Sequence, residues 1–329
     1  MITTNLFEEV LIKPVIEGAD KLCIVAGFAT STMAYRHLEK VKTTNPLLTI
    51  ELIVGMSKRM GLPLGEHKGF QKLVEEEDYV GRFQCSYIHK NPPVHSKLYI
   101  WLKDNKPYKA FTGSANYTQY AFTIQREILE SCNADEALKY FKDLSAESIY
   151  CNHLEVENYI KIYSEKQYFQ RFAEKSEVKD QPSSVIIKDS RNSVRVSLLM
   201  RNGEVHHSSG LNWAFRGTGK NRSNLNEAYI QLRPEVYRSD FFPPRSVEFS
   251  VLTDDGISLI CSRGQKPDAS AISTPQGNAL LGEYFRNRLG LPYGTKVTRK
   301  HLEKYGRTDV EFFKNDDETY EMDFSVEDE

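Results

Sequence analysis

Two short, largely apolar runs, residues 21–29 and 48–55, constrain the fold of this chain more than any other feature, and a stretch patterned as a helix separates them. The first is continuous, and the second ends in the apolar Leu52-Ile53-Val54. A strand made from either must therefore be covered on both faces, which is the condition of a parallel sheet flanked by helices. Ser31 is placed to cap a helix running through Lys42. A helix pattern over 65–77 and a strand pattern over 82–89 continue the alternation, and residues 5–17 precede it with Leu6, Val10, Leu11 and Val15 on one stripe. The order predicts an α/β layer with helices on both sides of a mixed sheet.

After this layer the pattern changes to a hairpin. Residues 93–101 are rich in strand formers, a second strand runs through Phe111 and Thr112 into Gly113, and Asp104-Asn105-Lys106-Pro107 between the two is turn chemistry. Alternation along the first strand puts His95, Lys97 and Tyr99 on one face. The second strand ends in Gly113-Ser114-Ala115-Asn116, a small-residue turn that brings backbone N–H groups, a hydroxyl and an amide together. An imidazole nucleophile, a lysine and polar donors suit a phosphate group. A third apolar run, 126–132, carries Glu127 near its start, and residues 134–145 read as a helix.

His95-Ser96-Lys97 followed by Gly113-Ser114-Ala115-Asn116 resembles the HxK…GSxN signature of the phospholipase D superfamily, with Glu127 matching the family's acidic partner. The resemblance implies a covalent phosphohistidine on His95. Lys97, Ser114 and Asn116 would hold phosphate oxygens, and Glu127 would orient the imidazole. Leu102 stands where many members carry an aspartate, so no aspartate role is carried over. The mechanism needs two histidines at one phosphorus, and the motif occurs once, since His37, His67, His89, His153, His206, His207 and His301 all lack a lysine two residues on. The resemblance therefore implies a homodimer through the N-terminal domain.

The texture changes again beyond a polar stretch. We place a nuclease domain at 1–165, a linker at 166–184 and a second domain at 185–329. Short strand patterns at 185–187, 194–199, 228–232, 247–252, 257–261, 310–313 and 320–324, with one helix over 278–289, predict a mainly β barrel. Asn202-Gly203 and Asp254-Asp255-Gly256 are hairpin turns. Two loops carry side chains that read base edges: Asn212, Trp213, Arg216, Lys220, Asn221, Arg222 and Asn224 in the first, and Arg263, Gln265, Lys266 and Asp268 in the second. They resemble the two arms of the B3 DNA-binding pseudobarrel.

Together the halves resemble restriction endonucleases of the BfiI and NgoAVII type. This implies sequence-specific cleavage of double-stranded DNA without a metal, and a separate ATPase or helicase-like subunit that would need ATP and Mg2+. The chain has no phosphate-binding loop of its own and no cofactor of its own is expected, because Gly217-Thr218-Gly219-Lys220-Asn221 lacks both the earlier glycine and the following Ser or Thr. Two rivals stay open at this point, a phospholipid hydrolase and a catalytically silent DNA-binding scaffold.

Charge supports a polyanionic partner. The net charge of −2 divides into −9 over residues 308–329 and +7 over the rest. Five scattered cysteines argue for reduced core thiols, and no pair has metal-ligand spacing. No apolar run is long enough to span a membrane, and the expected location is cytoplasmic.

Overall fold

The computed structural model describes residues 1–164, 167–168, 192–216, 224–245, 247–264 and 270–326. The chain divides into two compact units, Met1–Tyr168 and Phe169–Glu329. Apart from residues 167 and 168, the expected linker lies outside the described residues, as does the strand expected at 185–187.

The two apolar runs form β1 (Lys21–Ala26) and β2 (Thr49–Val54), paired in parallel. A short pairing of β3 (Leu62–Pro63) with β9 (Ile162–Tyr163) stands apart from the main sheet. The main sheet is completed by β4 (Phe83–Ile88), β5 (Leu98–Lys103), β6 (Lys106–Gly113), β7 (Leu129–Cys132) and β8 (Ser148–Tyr150). Its order is β7-β6-β5-β1-β2-β4-β8, with β1, β2 and β4 parallel and the remaining pairings antiparallel. The mixed sheet follows from connection length. The 22-residue stretch between β1 and β2 holds a crossover helix, Ser31–Lys42, whereas β5 and β6 are joined by Asp104 and Asn105 at positive φ, as a tight hairpin requires.

Both faces of this sheet are covered. On one, Trp101 is fully buried and its indole donates to the Val10 carbonyl at 2.8 Å, while His37 bridges Leu11 O and the Tyr117 hydroxyl. On the other, Ala137, Leu138, Phe141 and Leu144 of the helix Ala134–Ser145 pack against Cys23, Val25, Ile100 and Ala110. The cap of the helix Ser31–Lys42 is Thr30 rather than Ser31. Thr30 has extended backbone and its hydroxyl accepts from Met33 N, while the Ser31 N–H is already held by the buried Glu66 carboxylate at 2.6 Å.

The second unit is a curled, nearly closed barrel, the pseudobarrel that the resemblance implied. Its strands are β10 (Ser193–Ser197), β11 (Ile230–Gln231), β12 (Glu248–Thr253), β13 (Ser258–Gly264), β14 (Ala271–Ser273), β15 (Asp309–Lys314) and β16 (Thr319–Asp323). They are ordered β10-β15-β16-β12-β13-β14-β11, with only β12 and β16 parallel. Phe242, Phe249, Phe312 and Tyr320 meet at its centre, with ring centroids 5.0–5.6 Å apart. The expected helix is present as Ala279–Arg288. A further helix, Arg299–Tyr305, was not expected, and Thr298 and His301 cap it reciprocally.

The five cysteines are free thiols, and burial pushes Cys23 up to about 12. Among the described residues no helix is long and apolar enough to cross a membrane.

Candidate active site

Three segments converge at the carboxyl end of β1: residues 93–97 leading into β5, the turn 114–116 after β6, and residues 127–128 leading into β7. Residues 93–97 are not the strand that their composition suggests. β5 begins only at Leu98, because the Val94 N–H bonds across to Gly55 O at 3.1 Å and draws the chain over the end of β2. The approach requires glycine, since a Cβ on Gly55 would lie 2.1 Å from Val94 O. His95 is thereby exposed above the sheet, while Lys97 is buried beside it.

Lys97 Nζ lies 3.0 Å from His95 Nε2 and 2.9 Å from His95 O. An ammonium can only donate, so Nε2 is the accepting nitrogen and the ring proton belongs on Nδ1. Partial burial and then the Lys97 charge lower the His95 pKa, which favours the neutral imidazole. Burial also lowers Lys97, against the opposing charge of Glu127. The result is an unprotonated nitrogen with a cation beside it. Such a nitrogen can attack an electrophile whose oxygens the cation neutralises.

Asn116 reaches the same point from the β6 turn. Its Oδ1 accepts from Phe28 N at 3.2 Å, so the amide NH2 is the end left for an oxygen of a ligand. The Tyr99 hydroxyl supports this turn by donating to Ala115 O at 2.9 Å. Gly27 was not singled out from the sequence. A Cβ there would stand 2.6 Å from His95 Cδ2 and 3.5 Å from Asn116 Oδ1, so its bare backbone is the seat of both side chains. The Phe28 ring meets the imidazole edge-on at 5.9 Å.

Ser114 and Glu127 pair with each other. The Ser114 hydroxyl donates to the Glu127 carboxylate and accepts from Ile128 N at 3.0 Å, and Ser114 N donates to Ile128 O at 2.9 Å. β7 starts at Leu129, so Glu127 precedes the strand on which it was expected. Its carboxylate is directed at Ser114, and its charge acts on Lys97. Among the described residues no group of three or more His, Cys, Asp or Glu is placed to hold a metal ion.

The expected base-reading residues of the second unit divide into three sets. Lys220, Asn221, Arg222, Gln265, Lys266 and Asp268 lie outside the described residues. Asn212 and Arg263 lie inside the domain framework rather than on a reading surface. Asn212 is fully buried, donating to His206 O and Val297 O and accepting from Val297 N at 2.8–2.9 Å. Arg263 is buried against the Tyr237 and Pro243 carbonyls. Asn224 closes a local turn by accepting from Asn226 N. Arg216 is exposed, stacked over Trp213 at 4.2 Å and paired with Glu227. Trp213 rests edge-on against Tyr229.

Comparison with known proteins accounts for both units. Residues 4–158 match the family model described as the NgoFVII restriction endonuclease N-terminal PLD domain, and residues 186–316 match the NgoFVII C-terminal B3-like DNA-binding domain. Among solved structures the chain is similar to Nuc, a phospholipase D family member from Salmonella typhimurium, at 16% identity over 43% of this chain and 87% of that one, with a TM-score of 0.31. NucT from Helicobacter pylori matches at 14% identity over 45% and 96%, with a TM-score of 0.27. Polyphosphate kinase from Porphyromonas gingivalis matches at 12% over 54% and 28%, with a TM-score of 0.32. The comparison with curated proteins found no match.

Proposed function

This chain belongs to the NgoFVII restriction endonuclease family, with a PLD nuclease domain and a B3-like DNA-binding domain, and from that premise we propose that it cuts DNA through a phosphohistidine on His95. The observation that supports this reading best is the ammonium of Lys97 donating to His95 Nε2, which leaves that nitrogen unprotonated beside a cation.

In the first step Nε2 attacks phosphorus, a P–N bond forms, and the bond from phosphorus to the leaving oxygen breaks. A second imidazole, in its protonated form, gives that oxygen a proton and becomes neutral. In the second step the same imidazole removes a proton from water, the hydroxide attacks phosphorus, and the P–N bond breaks to restore His95. Lys97 and the Asn116 amide hold the non-bridging oxygens, where the charge develops. Ser114 acts by fixing Glu127, whose carboxylate holds Lys97 in its charged form.

The second imidazole is His95 of another copy, brought in by a two-fold axis beside the site, so the nuclease works as a homodimer. The charge at phosphorus is met by side chains, so the chemical step needs no metal. Double-stranded DNA reaches the site after the B3-like domain has bound its sequence, with Arg216 on Trp213 at the base of one arm. A separate ATPase subunit, with its own ATP and Mg2+, drives the assembly.

The test is His95→Ala in the full chain. Cleavage should be lost while binding to duplex DNA persists; retained cleavage would overturn the reading. Mixing this variant with wild-type chains checks the shared site, because activity should then fall faster than the wild-type fraction.

A further inference from the structure

The parallel strands β2 and β4 end beside His95 in a rim of positive charge that the chemistry above does not use. β2 runs through Gly55 into the short helix Ser57–Met60, which exposes Lys58 and Arg59, and β4 runs into His89 and the exposed Lys90. The two ends are tied together, since the Ser57 hydroxyl lies within hydrogen-bond distance of both Val54 O and Ile88 O, at 3.0 and 2.9 Å. The rim is joined to the nucleophile by the bond from Val94 N to Gly55 O, one residue before His95.

Lys161 comes to the same place from the far end of the unit. Its carbonyl accepts from Leu62 N at 3.0 Å, and it lies so close over Gly61 that a Cβ there would be 2.7 Å from that oxygen. Lys58 reaches across to the Tyr159 carbonyl at 3.2 Å, which is a neutral partner. None of Lys58, Arg59, Lys90 and Lys161 forms an ion pair with a carboxylate among the described residues. Lys90 and Lys58 both act on His89, with Glu147 as the opposing charge. The exposed Tyr159 ring lies edge-on to His89 at 5.0 Å.

Unpaired cations gathered at one edge cost the fold some self-repulsion, and an extended polyanion offsets it. We propose that Lys58, Arg59, Lys90 and Lys161 form a phosphate track on the nuclease unit, which guides one DNA strand across the ends of β2 and β4 to His95. The proposal rests on the nuclease reading and adds the path of the substrate to it. The track carries no sequence information, because phosphates are identical at every step. It supplies affinity and alignment, and the barrel supplies specificity.

The test uses the full chain carrying His95→Ala, so that DNA stays intact, and a duplex of mixed sequence as probe. Lys58→Ala, Arg59→Ala and Lys90→Ala, singly and together, should weaken binding and lower the slope of log affinity against log salt by about 0.9 for each phosphate no longer neutralised. Arginine in place of Lys58 and Lys90 should restore both readings, which separates the effect of charge from a damaged fold. An affinity and slope equal to those of the His95→Ala parent in the triple variant would overturn the track. Failure of the nuclease reading would appear separately, as DNA cleavage by the parent.

Discussion

Lys97 Nζ contacts two acceptors of one residue, His95 Nε2 at 3.0 Å and His95 O at 2.9 Å. A lysine two residues along a flat strand would share a face with the histidine without touching its backbone. The contact exists because the chain leaves the sheet before β5 and folds His95 back over Lys97. The cation thus adds to partial burial in favouring the neutral form of its neighbour.

From this follows a pH dependence. Burial and the Lys97 charge both lower the His95 pKa, so the imidazole stays neutral to more acid pH than an ordinary histidine near 6.5. The acid limb of the rate profile, where the nucleophile becomes protonated, should lie below that value. Lys97→Gln removes the charge and leaves the burial, so the limb should move to higher pH. The same change should lower kcat by about 10²–10³-fold, as expected for removal of one preorganised oxyanion partner. Single-turnover rates across pH give both quantities.

Gly27→Ala tests the seat of the imidazole. The added methyl would meet His95 Cδ2 at 2.6 Å, and the ring, being exposed, would tilt away without disturbing the core. A displacement of about 1 Å costs about 10²-fold in rate. Steady-state kinetics should show that loss in kcat with DNA affinity unchanged.

Arg216 and Asn212, four residues apart, should behave as opposites. Arg216→Ala removes an exposed cation and should weaken DNA binding, with a salt slope smaller by about one if the side chain meets a phosphate. Asn212→Ala leaves buried partners at Val297 and His206 unsatisfied and should destabilise the barrel by about 1–3 kcal/mol. Thermal melting beside a binding titration separates them.

The legible part of the sequence was the part written in adjacent residues. His95-Ser96-Lys97 and Gly113-Ser114-Ala115-Asn116 are contiguous, and the apolar runs of β1 and β2 declare burial by composition alone. What escaped depends on approach through space. Nothing in the chain around Gly27 or Gly55 says that an imidazole and a carbonyl will press against them. Residues 93–97 have strand composition, but a cross-chain bond to Gly55 decides their path. Asn212 carries a side chain that reads adenine on DNA, and the same donors and acceptor here tie two loops together, which only burial reveals. Helix Arg299–Tyr305 was missed because its apolar side is short and Leu302 alone is fully buried.

The central claim is that cleavage proceeds in two displacements at phosphorus with His95 as the intermediate nucleophile. The direct measurement is the stereochemical course of hydrolysis for a duplex carrying one chiral phosphorothioate at the cut position, in isotopically labelled water. Two displacements, each inverting, predict retention of configuration; inversion would mean that water attacks phosphorus directly and would contradict the account.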